Sequence, residues 1–379
     1  MKTRIKRLFH PQVEPINKIH IHSKNFLHNF EYLQSLQPQS ALFPVLKSNA
    51  YGHWLLQITK ILSKTIAPYL VVDSFPEYQI VKKNSKKNIL LLWETSPYNY
   101  KKFDLSRTTF CVYNIETIKH LTKLKKKIKI HLFLDTWMHR EWVNQNELLN
   151  ILEFLKDYPK LQIEWVLSHL HSADEPEHTQ IQSQIDLFKK MYHTIIDYGY
   201  TPIRKHIWNN AGLFKIKDSF FNAYRPGLAL YGYSPLCVED KYYSQGEPLK
   251  PSLSITSKIV SLHNIKQWEW VSYNYTRIAS EDTTVASIPF GYAEWLPRST
   301  SNKISFKLNT KNNSDYAPQI WNICMNLSSL QVEEWNIWDS VEIIGLEWEN
   351  TVQKLSENSD RIIYEILVWL DRGIRREIN

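Results

Sequence analysis

Lys47 closes an apolar run, Ala41-Leu42-Phe43-Pro44-Val45-Leu46, that reads as a buried strand. A lysine at the inner end of a strand is poorly solvated, which favours its neutral amine and makes it a nucleophile toward aldehydes. A surface lysine that lifts its ammonium into water fits the same run. The segment Ser168-His169-Leu170-His171-Ser172-Ala173-Asp174-Glu175 offers a second chemistry. Alternation along a strand would turn His169 and His171 to one side, and with Asp174, Glu175 and His178 they could form the ligand set of a barrel metallohydrolase. Buried, hydrogen-bonded histidines are the plainer alternative. Taken singly, Arg225 fits a surface ion pair, Arg140 a solvated charge, Tyr292 a packed aromatic and Met325 a core filler. No phosphate-loop, dinucleotide-binding or His-Glu-x-x-His motif is present.

The elements that must position these groups alternate. Lys18 to His22 reads as a strand, and Ser23 to Leu36 as an amphipathic helix with Phe26, Leu27, Phe30, Leu33 and Leu36 roughly on one face. After the lysine strand come Tyr69 to Val72, Asn88 to Leu92, Thr109 to Tyr113, Ile128 to Leu134, Ile163 to Leu167, His206 to Trp208 and Gly227 to Tyr231. Apolar strands spaced by helical stretches predict a parallel sheet, and their number an α/β fold with an eight-stranded (β/α) TIM-type barrel over 12–245. Past the Pro- and charge-rich stretch from Ser234 to Pro251, the runs Leu253 to Leu262, Thr284 to Pro289, Val341 to Ile344 and Ile362 to Leu367 predict a mainly antiparallel β domain over 246–379.

Several ordered motifs together resemble the bacterial alanine racemases, over almost the whole chain. Val45-Leu46-Lys47-Ser48-Asn49-Ala50-Tyr51-Gly52-His53 is similar to the family segment whose lysine binds pyridoxal 5'-phosphate (PLP) covalently; Tyr51 matches a tyrosine at the cofactor phosphate. Tyr224-Arg225-Pro226-Gly227-Leu228-Ala229-Leu230-Tyr231-Gly232 resembles a second signature. There Arg225 matches the arginine facing the pyridine nitrogen, and Gly227 and Leu228 the backbone N–H groups that hold phosphate. His169 matches a histidine bridging Arg225 and the catalytic tyrosine, Asn210 stands where a phosphate-binding serine is usual, and Tyr364 matches a tyrosine at the phosphate and substrate entrance.

Ile288-Pro289-Phe290-Gly291-Tyr292-Ala293-Glu294 supplies the second base of the resemblance, Tyr292, opposite Lys47. Racemisation without turning the substrate over needs an acid/base group on each face of the planar carbanion. A phenol needs a cationic or hydrogen-bonded environment to act as a base, which His169 and Arg225 would supply. The resemblance further implies that Tyr292 is contributed by the partner subunit of a homodimer, and that Arg140 and the Met325 backbone receive the substrate carboxylate. The implied activity interconverts L- and D-alanine and supplies D-alanine for peptidoglycan. A racemase of another small amino acid such as serine, or a catalytically silent PLP protein, are the alternatives. Three positions depart from the family pattern: Phe133 replaces a lysine that orients the arginine matched by Arg140, Asn326 an aspartate after Met325, and Glu294 an aspartate after Ala293.

Composition limits the rest. A 43% hydrophobic share across 379 residues is ample for two domains. The widely spaced Cys111, Cys237 and Cys324 form no disulfide frame and suit a reduced cytoplasm. The basic stretch Met1 to His10 lacks the apolar core of a signal peptide, and no run reaches a membrane span. The net charge of +8 sits in lysine runs without interleaved arginine and aromatics, which reads as solvated helix ends rather than a nucleic-acid surface. The chain has 14 Trp and 9 Gly, where average usage predicts about 27 Gly. Trp54, Trp137, Trp142, Trp295 and Trp338 fall where the resembling family has glycine. Either the chain is a Trp-rich divergent homologue, or UGA codons that its source reads as glycine have been written as tryptophan.

Overall fold

The computed structural model describes residues 14–176, 180–275, 277–309 and 314–379. Two compact units divide it, Ser23–Ser252 and Leu253–Asn379 joined by residues 14–22. The first strand, β1 (Lys18–Ile21), was assigned to the barrel by sequence order, but its hydrogen bonds place it in the second unit.

In the first unit, helix α1 (Ser23–Leu36) buries Phe26, Phe30 and Leu33 as the 3.6-residue period requires. Strand β2 (Ala41–Leu42) pairs in parallel with β9 (Ala223–Tyr224). Between them in sequence run β3 (Tyr69–Val72), β4 (Asn88–Leu91), β5 (Thr108–Val112), β6 (Ile128–Phe133), β7 (Leu161–Leu167) and β8 (Arg204–His206). These six form one curled parallel sheet in chain order. Its first strands are covered on both faces: every residue of β3 and β5 is buried. Helices α2 (Leu55–Leu62), α3 (Phe75–Asn84), α4 (Ile115–Thr122), α5 (Gln145–Leu155), α6 (Ile181–Asp197) and α7 (Asn210–Lys215) lie between the strands in sequence. Inside the curl, Phe43 stacks on Trp165 at 4.6 Å and His131 stacks on the same indole at 4.5 Å.

One expected strand of this unit is not one. Gly227 to Tyr231 predicts a strand, yet Leu228–Tyr231 is a turn of 3-10 helix, and β9 precedes it. All four residues of that turn are buried, so the segment is apolar on every side and its pattern does not distinguish the two conformations.

The second unit is a nine-stranded sheet. Its strands are β1, β10 (Leu253–Lys258), β11 (Ser261–Ile265), β12 (Thr283–Ile288), β13 (Ser305–Asn309), β14 (Ser314–Ile320), β15 (Ser328–Val332), β16 (Ser340–Ile344) and β17 (Arg375–Ile378). Their order is β11-β12-β15-β14-β13-β16-β10-β1-β17, and only the β1–β17 pair is parallel. The long expected run Leu253 to Leu262 is thus two strands. A second correction falls near the C-terminus: Ile362 to Leu367 is helical, α9 (Ile363–Val368), after a short α8 (Val352–Glu357). No described helix is long and apolar enough to cross a membrane.

Candidate active site

The Lys47 turn is the most unusual backbone of the first unit. The chain leaves the β2 line through hydrogen bonds from Val45 N to Pro226 O and from Leu46 N to Val71 O. It then winds left-handed, with Ser48, Asn49, Ala50 and Tyr51 all at φ between 51° and 57°. Successive left-handed L-residues are rare, because Cβ crowds the following carbonyl oxygen. Side chains hold the turn: Glu77 Oε1 accepts the Asn49 N–H at 3.0 Å, and Asn49 Oδ1 accepts the Leu55 N–H at 2.9 Å, tying the turn to α2. Lys47 itself is partly exposed.

Glu77 gives the turn a pH dependence. Burial raises its carboxyl to about 7, with Asp73 adding to the rise and the Asn49 N–H opposing it. A carboxyl raised on folding stabilises the fold fully below its unfolded value and loses that contribution as pH rises through the folded one. The thermal midpoint should therefore fall between pH 5 and pH 8. Glu77→Gln should flatten that part of the profile, which differential scanning fluorimetry across pH would show.

Tyr51 follows from the turn. Its ring stacks on Tyr231 at 4.9 Å, and the Tyr231 hydroxyl donates to Val45 O at 3.0 Å. The Tyr51 phenol lies directly over Gly227: a Cβ built there would overlap the hydroxyl oxygen and stand 2.8 Å from Cζ. The absence of a side chain at Gly227 is what lets a phenol meet the backbone at this corner. Asn210 Oδ1 accepts the N–H groups of Gly227 (2.8 Å) and Ala229 (3.0 Å), and Leu228 is buried between them. Beneath the Tyr51 phenol, the Gly227 and Ala229 N–H groups thus form one donor cradle, with Asn210 as their acceptor and Leu228 between them. Gly227→Ala should push the phenol away, and a fluorescence titration of the cofactor-free protein with PLP should show binding weakened at least about tenfold, the equivalent of about 1.4 kcal/mol.

Arg225 is buried beside the cradle. Its guanidinium donates to His206 Nδ1, to His206 O at 3.2 Å and to Ser168 O at 2.6 Å. Burial lowers it to about 10, so it stays cationic at neutral pH, and among the described residues its hydrogen-bond partners include no carboxylate. Because the guanidinium can only donate, His206 must accept at Nδ1 and carry its proton on Nε2. Burial, then the Arg225 charge, holds His206 well below the usual imidazole range. His206 escaped the sequence reading; its one signal is a titratable residue at the C-terminal end of a parallel strand, where barrel sites form.

His169 lies in the same field. Burial, followed by the positive charges of Arg225, Lys47 and Arg140, lowers it to about 3, so its imidazole is neutral. The guanidinium bonds of Arg225 go to His206 and Ser168, so here His169 meets Arg225 through charge alone. Among the described residues no group of three His, Cys, Asp or Glu side chains could hold a metal ion; His178, one member of the expected set, lies outside them. Arg140 is exposed, pairs with Glu141 through Nε at 2.5 Å, and lies 5.1 Å from the Trp142 ring centre. Phe133, at the departed lysine position, stacks on that same indole, its ring centre 4.3 Å from that of Trp142.

In the second unit, Tyr292 and Met325 come together. Tyr292 N donates to Cys324 O (3.1 Å) and Ala293 N to Met325 O (2.8 Å). Gly291 permits this approach, since a Cβ there would stand 2.7 Å from the Met325 carbonyl carbon. The two departures on these loops bond to each other: Asn326 Nδ2 donates to Glu294 Oε1 at 2.9 Å, while Glu294 Oε2 accepts the Gly291 N–H at 2.9 Å. Tyr292 is 44% exposed and Met325 is exposed as well. Tyr364 is half-buried in the first turn of α9.

A parallel barrel-type unit with a lysine, a buried arginine and an anion cradle, followed by a β unit, defines a class of two-domain α/β proteins. The chain belongs to the alanine racemase family: the family's N-terminal domain matches residues 21–235 and its C-terminal domain residues 252–378. It is similar to the alanine racemase of Helicobacter pylori (strain G27), 27% identical over 376 residues that cover 94% of this chain and 97% of that protein. The fold matches the crystal structure of alanine racemase from D-cycloserine-producing Streptomyces lavendulae with a TM-score of 0.88 at 22% identity, covering 97% of this chain and 98% of the other. It also matches the alanine racemase of Bartonella henselae with covalently bound pyridoxal phosphate, with a TM-score of 0.83 at 23% identity, covering 97% of this chain and all of the other.

Proposed function

We propose that the chain is a PLP-dependent alanine racemase, an isomerase that interconverts L- and D-alanine and supplies D-alanine for peptidoglycan. One observation carries the reading: a buried arginine whose partners are carbonyls and a neutral imidazole, beside a donor cradle and within electrostatic reach of the same histidine as Lys47. A fixed cation without a carboxylate suits a pyridine nitrogen that must remain unprotonated. The cradle suits a phosphate. Asn210 Oδ1 sits on N–H groups that phosphate oxygens would take, and displacing it turns the amide NH2 into a further donor.

PLP, when bound, supplies an electron sink for the charge left at the α-carbon. The chain's own residues do the rest. Lys47 Nζ holds the cofactor and takes or returns the α-proton on one face. Tyr292 of the partner subunit does so on the other; its exposure and its rigid backbone tie to Cys324 and Met325 support that role. Arg225 keeps the surroundings of the phenol electropositive and the neutral His169 offers it a hydrogen bond, Arg140 and the Met325 backbone receive the carboxylate, and Tyr364 lies at the phosphate and substrate entrance. The same reading takes β2 to β9 as eight barrel strands. The Val45–Val71 bridge and the bond from Asn222 N to Lys205 O (3.1 Å) support it by joining the short β2–β9 pair to both edges of the six-stranded sheet.

The test is circular dichroism of a D-alanine solution mixed with PLP-loaded protein. The signal should decay to zero. A yellow, loaded protein that leaves it unchanged would overturn the reading, and equal turnover of D-serine would move the assignment to a broader small-amino-acid racemase.

A further inference from the structure

Six of the fifteen described non-glycine residues with left-handed backbone are tryptophan. Trp54, Trp137, Trp268, Trp295, Trp321 and Trp338 have φ of 73°, 73°, 73°, 100°, 62° and 77°. The glycines at positive φ have 79°, 89° and 95°, so these six Trp adopt the same conformation. Only a few per cent of non-glycine residues do so, and bulky ones least. The other aromatics act as an internal control. No described Phe among the 15 in the chain has positive φ, and only Tyr51 and Tyr275 of 21 Tyr do, against six of 14 Trp. The bias belongs to one residue type and not to large rings.

At Trp54, Trp268, Trp295 and Trp338 backbone hydrogen bonds hold these conformations; at Trp321 a side-chain acceptor does, and there the buried indole also donates to Arg277 O. Trp54 O accepts from Gln57 N and Ile58 N at the start of α2, Trp268 N donates to Ala279 O at 2.9 Å, Trp295 N to Tyr292 O at 3.1 Å and Trp338 N to Ile259 O at 2.8 Å. Trp321 N donates to Asn302 Oδ1 at 2.8 Å. Three of the side chains gain little in return. Those of Trp137, Trp268 and Trp338 are exposed, so they bury too little apolar surface to offset a strained backbone. A buried indole N–H normally finds an acceptor, yet Nε1 of Trp295, like those of Trp142 and Trp208, has none.

We infer that glycine occupies positions 54, 137, 268, 295, 321 and 338 when the chain is made by its own ribosomes, each encoded by a UGA codon that the written sequence renders as tryptophan. Trp268 and Trp321 were flagged by the backbone alone. Four of the positions flank the candidate site in sequence: 54 follows the Lys47 turn, 137 precedes Arg140, 295 follows Tyr292 and 321 precedes Met325. The glycines are positioning residues whose freedom lets the site loops turn, and the inference holds whatever reaction those loops serve.

The deciding experiment is tandem mass spectrometry of peptides from the protein purified from its natural source. Peptides spanning these six positions should carry glycine, each lighter than written by the difference between an indolylmethyl group and a hydrogen. Tryptophan in those peptides, or UGG in the gene, overturns the inference. Recombinant material gives a second arm independent of catalysis. A chain carrying Trp54→Gly, Trp137→Gly, Trp268→Gly, Trp295→Gly, Trp321→Gly and Trp338→Gly should melt at a higher temperature than the chain as written. An equal or lower midpoint overturns the idea that glycine is what the backbone requires.

Discussion

Lys47→Ala should emerge from purification colourless, without the visible absorption of the PLP-loaded protein, and should racemise alanine at least about a thousandfold more slowly. The substitution removes two functions at once. In the proposed reaction Lys47 Nζ both binds the cofactor covalently and acts as one of the two proton carriers; positioned acid/base groups alone contribute about 10²–10⁴ in rate. Both kcat and kcat/KM should fall together, as they do when the lost interaction exists only in the transition state. The fold should not notice. Lys47 is partly exposed, and the turn after it is held by Glu77 and Asn49 and not by the lysine side chain, so the thermal midpoint of the cofactor-free protein should shift within the range of an ordinary surface change. A yellow Lys47→Ala protein would place the covalent link elsewhere.

How much of this was legible beforehand depends on what each residue does. Strands such as β3 and β4 were readable because burial on both faces makes short apolar runs bounded by polar turns, and β6 and β7 because alternation with polar residues still marks a strand. The same burial misled at Gly227 to Tyr231, where a 3-10 turn packed on all sides is as apolar as a central strand. Ile362 to Leu367 failed for a related reason: a two-turn helix is too short to show its period. The placement of β1 was unreadable because alternation marks a strand but not its neighbours, and here the partners are the distant β10 and β17. Among the candidate residues, Lys47 and Arg225 of the first unit and Tyr292 of the second stood out because motif context singled out their chemistry. His206 and Glu77 did not, because the contacts that matter, to Arg225 and to the Asn49 N–H, join residues 19 and 28 positions apart in sequence. Nothing in Ser48-Asn49-Ala50-Tyr51 announces a left-handed turn, since only asparagine among the four favours that region.

Tyr292→Phe separates the two faces of the reaction. The change deletes one hydroxyl from a half-exposed ring, while the loop is held by backbone bonds to Cys324 and Met325 and by the Gly291–Glu294 contact, all of which survive it. Cofactor loading and the thermal midpoint should therefore match the parent protein. Racemisation should fall by about 10²–10⁴, the usual contribution of a positioned proton carrier. In D2O the variant should still exchange the α-hydrogen of one enantiomer of alanine, with retention, because Lys47 remains on its face; the other enantiomer should keep its hydrogen. Proton NMR of the α and methyl signals reads both rates in one sample. If a single residue served both faces, the substitution would slow neither exchange selectively. Equal exchange of L- and D-alanine by Tyr292→Phe would therefore assign both proton transfers to Lys47 and remove Tyr292 from the reaction.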